Sequence, residues 1–160
     1  MKKIIFLLII ISSLCYSQNK KAVIDSFDYK LKKVLDYQND KDILELGKLL
    51  IDKDNRIVAR TSIALSNLQD TITIPLMIKV YQESDDKAKK DIAFSLGQIG
   101  PCFETGNFIL SELKINKNEE IRSVLFEALG KSGQKELLDS LILLPSLSTK
   151  EEEYKIMGIA

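Results

Sequence analysis

The sequence predicts an all-α fold in which helical hairpins are stacked in a row, and three observations carry that expectation. A capped amphipathic segment recurs with a period near 32 residues, glycines recur at its end, and a second apolar segment of helical spacing fills each interval. The recurring segments run from Arg56-Ile57-Val58 to Ala64-Leu65, from Lys87-Ala88-Lys89 to Ser95-Leu96 and from Glu120-Ile121-Arg122 to Ala128-Leu129, with closing leucines 31 and 33 residues apart. Thr61, Ile92 and Leu125 stand four residues before those leucines, and Ile57, Ala88 and Ile121 stand eight before them. Offsets of four and eight fall on one face of a helix, so each segment presents a single apolar stripe.

The helix ends repeat with the stripe. Asp54, Asp85 and Asn118 each lie eleven residues before a closing leucine, where a short acceptor can cap the free amides of the first turn. Gly97 and Gly130 directly follow their leucines and Gly100 and Gly133 stand three residues further on; all four are expected to end helices through the left-handed conformation. The intervening helices are expected over Ile74 to Glu83, Gly106 to Ile115 and Lys135 to Leu144. Val80 and Leu113 fall five residues before the next cap, and Leu49 falls five before Asp54, which extends the pattern back to a helix from about Lys41 to Ile51 and another from about Ala22 to Tyr37. Beyond Pro145, Thr149 and Glu152 are spaced as a capping box and open a further helix. Setting Ala160 against Ala128 places Met157 on the core stripe beside Leu125, Ile92 and Thr61.

Two stretches carry a family resemblance: Ile121-Arg122 with Glu127-Ala128-Leu129-Gly130, and Asp91-Ile92-Ala93-Phe94-Ser95-Leu96-Gly97-Gln98-Ile99-Gly100. They resemble HEAT repeats, in particular the short HEAT-like form named after phycobilisome lyases, over about Lys41 to Leu144. The resemblance implies a right-handed α-α superhelix, an armadillo-type solenoid of stacked hairpins that serves as an interaction surface. It also implies a ladder between units from a capping Asp to a base four residues later. Asp85 with Lys89 keeps both charges of that ladder, whereas Val58 replaces the base in one unit and Asn118 the acid in another, so the ladder is expected to be broken.

The N-terminus has a different grammar. Met1-Lys2-Lys3, the apolar run from Ile4 to Ile11 and the small-residue exit Ser12-Ser13-Leu14-Cys15-Tyr16-Ser17 read as a secretory signal over residues 1–17, which leaves 18–160 as one repeat domain. The apolar run is well short of the roughly 20 residues of a spanning helix, so stable membrane insertion after cleavage is not expected. A lipid anchor at Cys15 is the alternative, with Leu14 in a seat that lipidation prefers small. The expected location is periplasmic or secreted. Since Ile156-Met157-Gly158-Ile159-Ala160 is apolar where a terminal repeat is polar, the chain is expected to continue past Ala160, as the N-terminal part of a longer protein.

Composition narrows the chemistry. Of the 23 basic residues two lie in the leader, so the exported part carries 21 against 23 acids, and no basic excess points to nucleic acid. Histidine is absent, which removes the commonest general base and metal ligand. Cys102 is the lone cysteine after the leader and reads as a small loop residue, and Asp36 to Asp42 lacks the central glycine and distal Glu of an EF-hand loop. Glu151-Glu152-Glu153 and Asp85-Asp86 read as solvated first-turn acids. No catalytic residue, cofactor or metal site is expected. Bilin lyases and HEAT-like DNA glycosylases share the repeat, but the chain has no tryptophan for base stacking.

Binding is then the expected function, by a scaffold whose partner is another protein or further domains of the same chain. If Leu76, Met77, Val80 and Tyr81 face the core, the helical wheel turns Pro75, Ile78, Lys79 and Gln82 away from it. The same geometry turns out Phe108, Ser111, Glu112 and Ile115, then Glu136, Asp139, Ser140 and Leu143. Phe108, Ile115 and Leu143 are large and apolar on that face, and an exposed apolar patch marks a contact. The alternative function is a non-catalytic repeat domain ahead of an exported enzyme, for example a cyclophilin-type peptidyl-prolyl isomerase.

Overall fold

The computed structural model describes residues 26–133 and 135–159. The expected leader, with Cys15, lies outside the described residues, as do Ala160 and the start of the first expected helix. Contacts divide the chain into two units, Met1–Lys33 and Val34–Ala160. In the first, the described residues are helical, and the Lys33 ammonium sits 4.9 Å from the centre of the Tyr29 ring.

Every regular element among the described residues is helical. Residues 26–39 form α1, followed by α2 (Ile43–Leu49), α3 (Asn55–Leu68), a 3-10 turn (Thr71–Thr73), α4 (Ile74–Glu83), α5 (Asp86–Gln98), α6 (Phe103–Ile115), α7 (Glu119–Lys131), α8 (Lys135–Leu143) and α9 (Thr149–Ile159). No helix among them is long and apolar enough to cross a membrane. The expected helices fall within a few residues of these bounds; α6 opens earlier than expected, at Phe103, and buries Thr105 and Gly106 in its first turn.

The most extensive packing joins alternate helices. Helix α3 lies against α5, α5 against α7 and α7 against α9, while α2, α4, α6 and α8 pack on the sides of this row. The repeated stripe is what the row buries: Ile57, Leu65, Ile92, Leu96, Ile121, Leu125 and Leu129 are buried together with Ala64, Ala88 and Ala128. Asp54, Asp85 and Asn118 cap α3, α5 and α7, their side chains accepting from Arg56 N, Ala88 N and both Glu120 N and Ile121 N.

The glycines divide into two roles that their spacing did not separate. Gly100 (φ 104°) and Gly133 (φ 60°) take the left-handed turns after α5 and α7. Gly97 and Gly130 instead lie inside those helices, where backbones meet. A Cβ on Gly97 would lie 2.6 Å from Ala128 Cα, and one on Gly130 would overlap the backbone of Gly158 in α9. Between α3 and α5 the spacing is set by Ser62 and Ser95, whose hydroxyls lie 3.3 Å apart while donating to Ala59 O and Asp91 O in their own helices.

Helix α9 departs furthest from expectation. Ser148, not Thr149, is its cap, its hydroxyl accepting from Glu151 N at 3.2 Å while the Glu151 carboxylate accepts from Leu147 N at 2.8 Å. The box is one residue earlier than its spacing suggested. Met157 is correspondingly exposed, not on the core stripe, because the contact with α7 is made at Gly158 and the face rotates to follow it.

Two stability predictions follow from this packing. In an open helix Gly→Ala stabilises by about 0.8–1 kcal/mol; Gly97→Ala is expected to cost about 2 kcal/mol instead, because the methyl group strikes backbone. Gly47→Ala, whose Cβ meets nothing nearer than Leu76 Cδ2 at 4.0 Å, serves as the stabilising control in the same urea titration. Thr61 occupies the stripe position filled elsewhere by Ile92 and Leu125, fully buried, and its hydroxyl reaches no hydrogen-bond partner among the described residues. Thr61→Val keeps the shape and removes the stranded hydroxyl, so it is expected to raise unfolding stability by about 1 kcal/mol, read as a higher midpoint at unchanged slope.

Candidate interaction surface

Helices α4, α6 and α8 are neighbours in that order, α4 touching α6 and α6 touching α8. Their inward sides are fixed by burial of Met77, Val80 and Tyr81, of Ile109, Leu110 and Leu113, and of Leu137 and Leu141; Leu76 and Leu138 are half-buried. The opposite sides hold the expected surface. Lys79, Gln82, Ser111, Ile115, Glu136, Asp139 and Leu143 are exposed, while Ile78, Glu112 and Ser140 are half-exposed. Among its large apolar members Ile78, Phe108, Ile115 and Leu143, Ile115 is 69% and Leu143 82% exposed.

Phe108 behaves differently. It is half-buried, its ring standing edge-on to Tyr81 with centroids 5.2 Å apart and planes at 84°, so it joins α6 to α4 more than it faces outward. The wheel could not foresee this because Tyr81 belongs to another helix. Burial, followed by the nearby Glu112 carboxylate, pushes the Tyr81 phenol well above its ordinary pKa. The Lys89 ammonium lies 5.6 Å from the centre of the same ring, so the base expected in a ladder with Asp85 packs on an aromatic face.

Adjacent units are nevertheless tied by polar contacts at the starts of the row helices, with other partners than the resemblance implied. Asn55 Nδ2 donates to Asp85 Oδ2 at 2.8 Å, Asn118 Nδ2 donates to Asp86 Oδ2 at 2.9 Å, and Ser148 Oγ donates to Glu119 Oε1 at 2.7 Å. Lys90 pairs with Glu120 across the same interface. The Ala88 backbone amide, followed by the Asn55 side-chain amide, holds the Asp85 carboxyl below its usual range. These contacts are solvent-exposed and set register more than stability.

The far end of the row holds the one fully buried ion pair among the described residues. Arg122 Nε donates to Glu151 Oε1 at 2.8 Å, Nη2 donates to Pro145 O at 2.9 Å, and Nη1 donates to Leu113 O. Nearby, Lys155 Nζ donates to Leu144 O at 2.8 Å. Glu151 is therefore not a solvated first-turn acid: one oxygen holds Arg122, the other closes the turn before α9. The guanidinium joins α6, α7, the segment after α8, and α9. Nothing in the local sequence separates Glu151 from Glu152 and Glu153, because the partner is 29 residues away.

Among the described residues no group of three His, Cys, Asp or Glu side chains is placed to hold a metal ion. Cys102 is a half-buried free thiol at the start of α6. A second apolar region, which the sequence did not single out, lies between α2 and α4: Leu44, Ile51 and Ile72 are exposed around an open groove of about 660 Å³. Compared with protein-family models, curated proteins and solved structures, the chain matches none.

The buried pair makes a test of this end of the molecule. Glu151→Leu and Arg122→Met, each removing one partner, are expected to cost about 3–5 kcal/mol, while the double variant costs well under their sum and still more than nothing, because the carbonyls of Leu113 and Pro145 lose their donor. Denaturant unfolding of the three variants checks it; additive losses in the double variant would mean that the two charges are not coupled.

Proposed function

We propose that this chain is an exported scaffold of the HEAT type, a right-handed solenoid of stacked helical hairpins whose outward helices bind another protein, and that it does no chemistry of its own. The observation that carries the reading is the exposure of Ile115 and Leu143 on adjacent helices, within a surface otherwise lined by Lys79, Gln82, Glu136 and Asp139. Leaving two large aliphatic side chains in water forgoes about 1.5–3 kcal/mol each, which a contact would recover.

Further support comes from the repeat itself. Contacts between units recur at separations of 30, 32 and 29 residues, Asn55 to Asp85, Asp86 to Asn118 and Glu119 to Ser148. A hairpin of that size buries its apolar face only against a neighbour, which is the physical logic of a stacked array. Export, to the periplasm or beyond, rests on the signal-like pattern of Met1 to Ser17.

Residues 115 and 143 are the ones to test. Replacing Ile115 and Leu143 together by Asp is expected to cost no more than about 1–2 kcal/mol, since both are exposed and the loss comes only from a carboxylate opposing the dipole at the end of each helix. The same variant is expected to lose at least about tenfold in affinity for the partner recovered by crosslinking through these positions. If the doubly substituted protein recovers the same partner with unchanged affinity, the α6 and α8 face is not where binding occurs.

A further inference from the structure

We propose that the groove between α2 and α4 receives a partner helix that carries large apolar side chains on one stripe and lysine or arginine beside it. This site is separate from the α6 and α8 face, and it stands whether or not that face binds. Its apolar wall is Leu44 (80% exposed), Ile51 (67%) and Ile72 (74%), three branched side chains from α2, the turn after it and the 3-10 turn. Gly47 supplies the hollow: it stands one helical turn from Leu44, and a Cβ there would find only Leu76 Cδ2, at 4.0 Å. Leu76 lies beneath, half-buried on α4.

The rim gives the occupant its charge. Asp42, Glu45 and Asp70 line the groove with one cation, Lys48, already paired to Glu45. Asp42 and Asp70 are held in place by accepting from Glu45 N at 3.0 Å and Ile72 N at 2.9 Å, so both carboxylates are fixed at the edge. An apolar floor with fixed negative charge around it favours a cationic amphipathic segment and repels an acidic one. Anionic lipid headgroups are disfavoured on the same ground. A second copy docking through its α6 and α8 face is disfavoured too, since that face carries Glu112, Glu136 and Asp139. A helix is the fitting shape because the groove runs between helical elements, into which the ridge of a third can set.

The test uses the intact protein and two labelled helical peptides with leucines at spacings i, i+3, i+4 and i+7, one filled with lysine and the other with glutamate. Fluorescence anisotropy is expected to show the lysine peptide binding at least about tenfold more tightly than the glutamate peptide, and more weakly as salt is raised. Leu44→Ser with Ile72→Ser, which removes the apolar wall without changing charge, is expected to weaken the lysine peptide at least about tenfold. Gly47→Phe, which fills the hollow without touching the rim, is expected to block it while circular dichroism stays unchanged. Ile115→Asp with Leu143→Asp leaves it unaffected, which keeps the two surfaces distinguishable. The proposal is overturned if the lysine peptide does not bind, if both peptides bind alike, or if Gly47→Phe and the pair Leu44→Ser with Ile72→Ser leave its affinity unchanged. A concentration-dependent dimer dissolved by Ile72→Asp overturns it as well, by making a second copy the occupant.

Discussion

The approach of backbones along the row α3, α5, α7 and α9 is the constraint on which the rest of the molecule depends. Ser62 meets Ser95, Gly97 meets Ala128 and Gly130 meets Gly158, a small residue on each side of every interface. Small side chains let the helices come close enough for Ile57, Ile92, Ile121 and Leu125 to be shared between neighbours, so dispersion contacts are gained along the whole row. The same closeness fixes rotation. Once Gly158 must face Gly130, Glu151 and Lys155 turn inward, and Ile156 and Met157 turn out to solvent.

That rotation makes the buried charges necessary as well as possible. Arg122 is enclosed beside carbonyls of Leu113, Asn116 and Pro145, whose oxygens need donors, and Glu151 neutralises the guanidinium that supplies them. A pair of this kind adds little net stability over an apolar substitute, but it tolerates only one register of α9 on α7. The exposed contacts Asn55 to Asp85 and Asp86 to Asn118 act in the same sense between the earlier units. Apolar packing supplies cohesion, and polar pairing selects which packing is adopted.

With one row committed to cohesion, the flanking helices are left with free outer faces, and these differ along the chain. The α6 and α8 face has two separate aliphatic side chains in an acidic and polar field, suited to a broad contact. The α2 and α4 groove is concave and rimmed by fixed carboxylates, suited to a single inserted element. Both remain compatible with the same core because neither Ile115 nor Leu44 contributes to it. Outer faces in such an arrangement can change without disturbing the stripe that holds the helices together.

What the sequence by itself determined is whatever repeats at short range: the helices, their caps at Asp54, Asp85 and Asn118, and the apolar stripe through Ile57, Leu65, Ile92, Leu96, Ile121 and Leu129. Hydrogen bonds to the first turn and a periodicity of 3.6 residues are local, so their signals sit within a dozen residues of one another. The outward placement of Ile115 and Leu143 was legible for the same reason. Tertiary structure alone decided which glycines turn the chain and which admit a neighbour, that Phe108 leans on Tyr81, that Ser148 rather than Thr149 caps α9, and that Glu151 is buried while Glu152 is not. Each of these depends on a partner in another helix, and a one-dimensional pattern carries no record of the distance between two helices or of the angle through which one has rolled against the other.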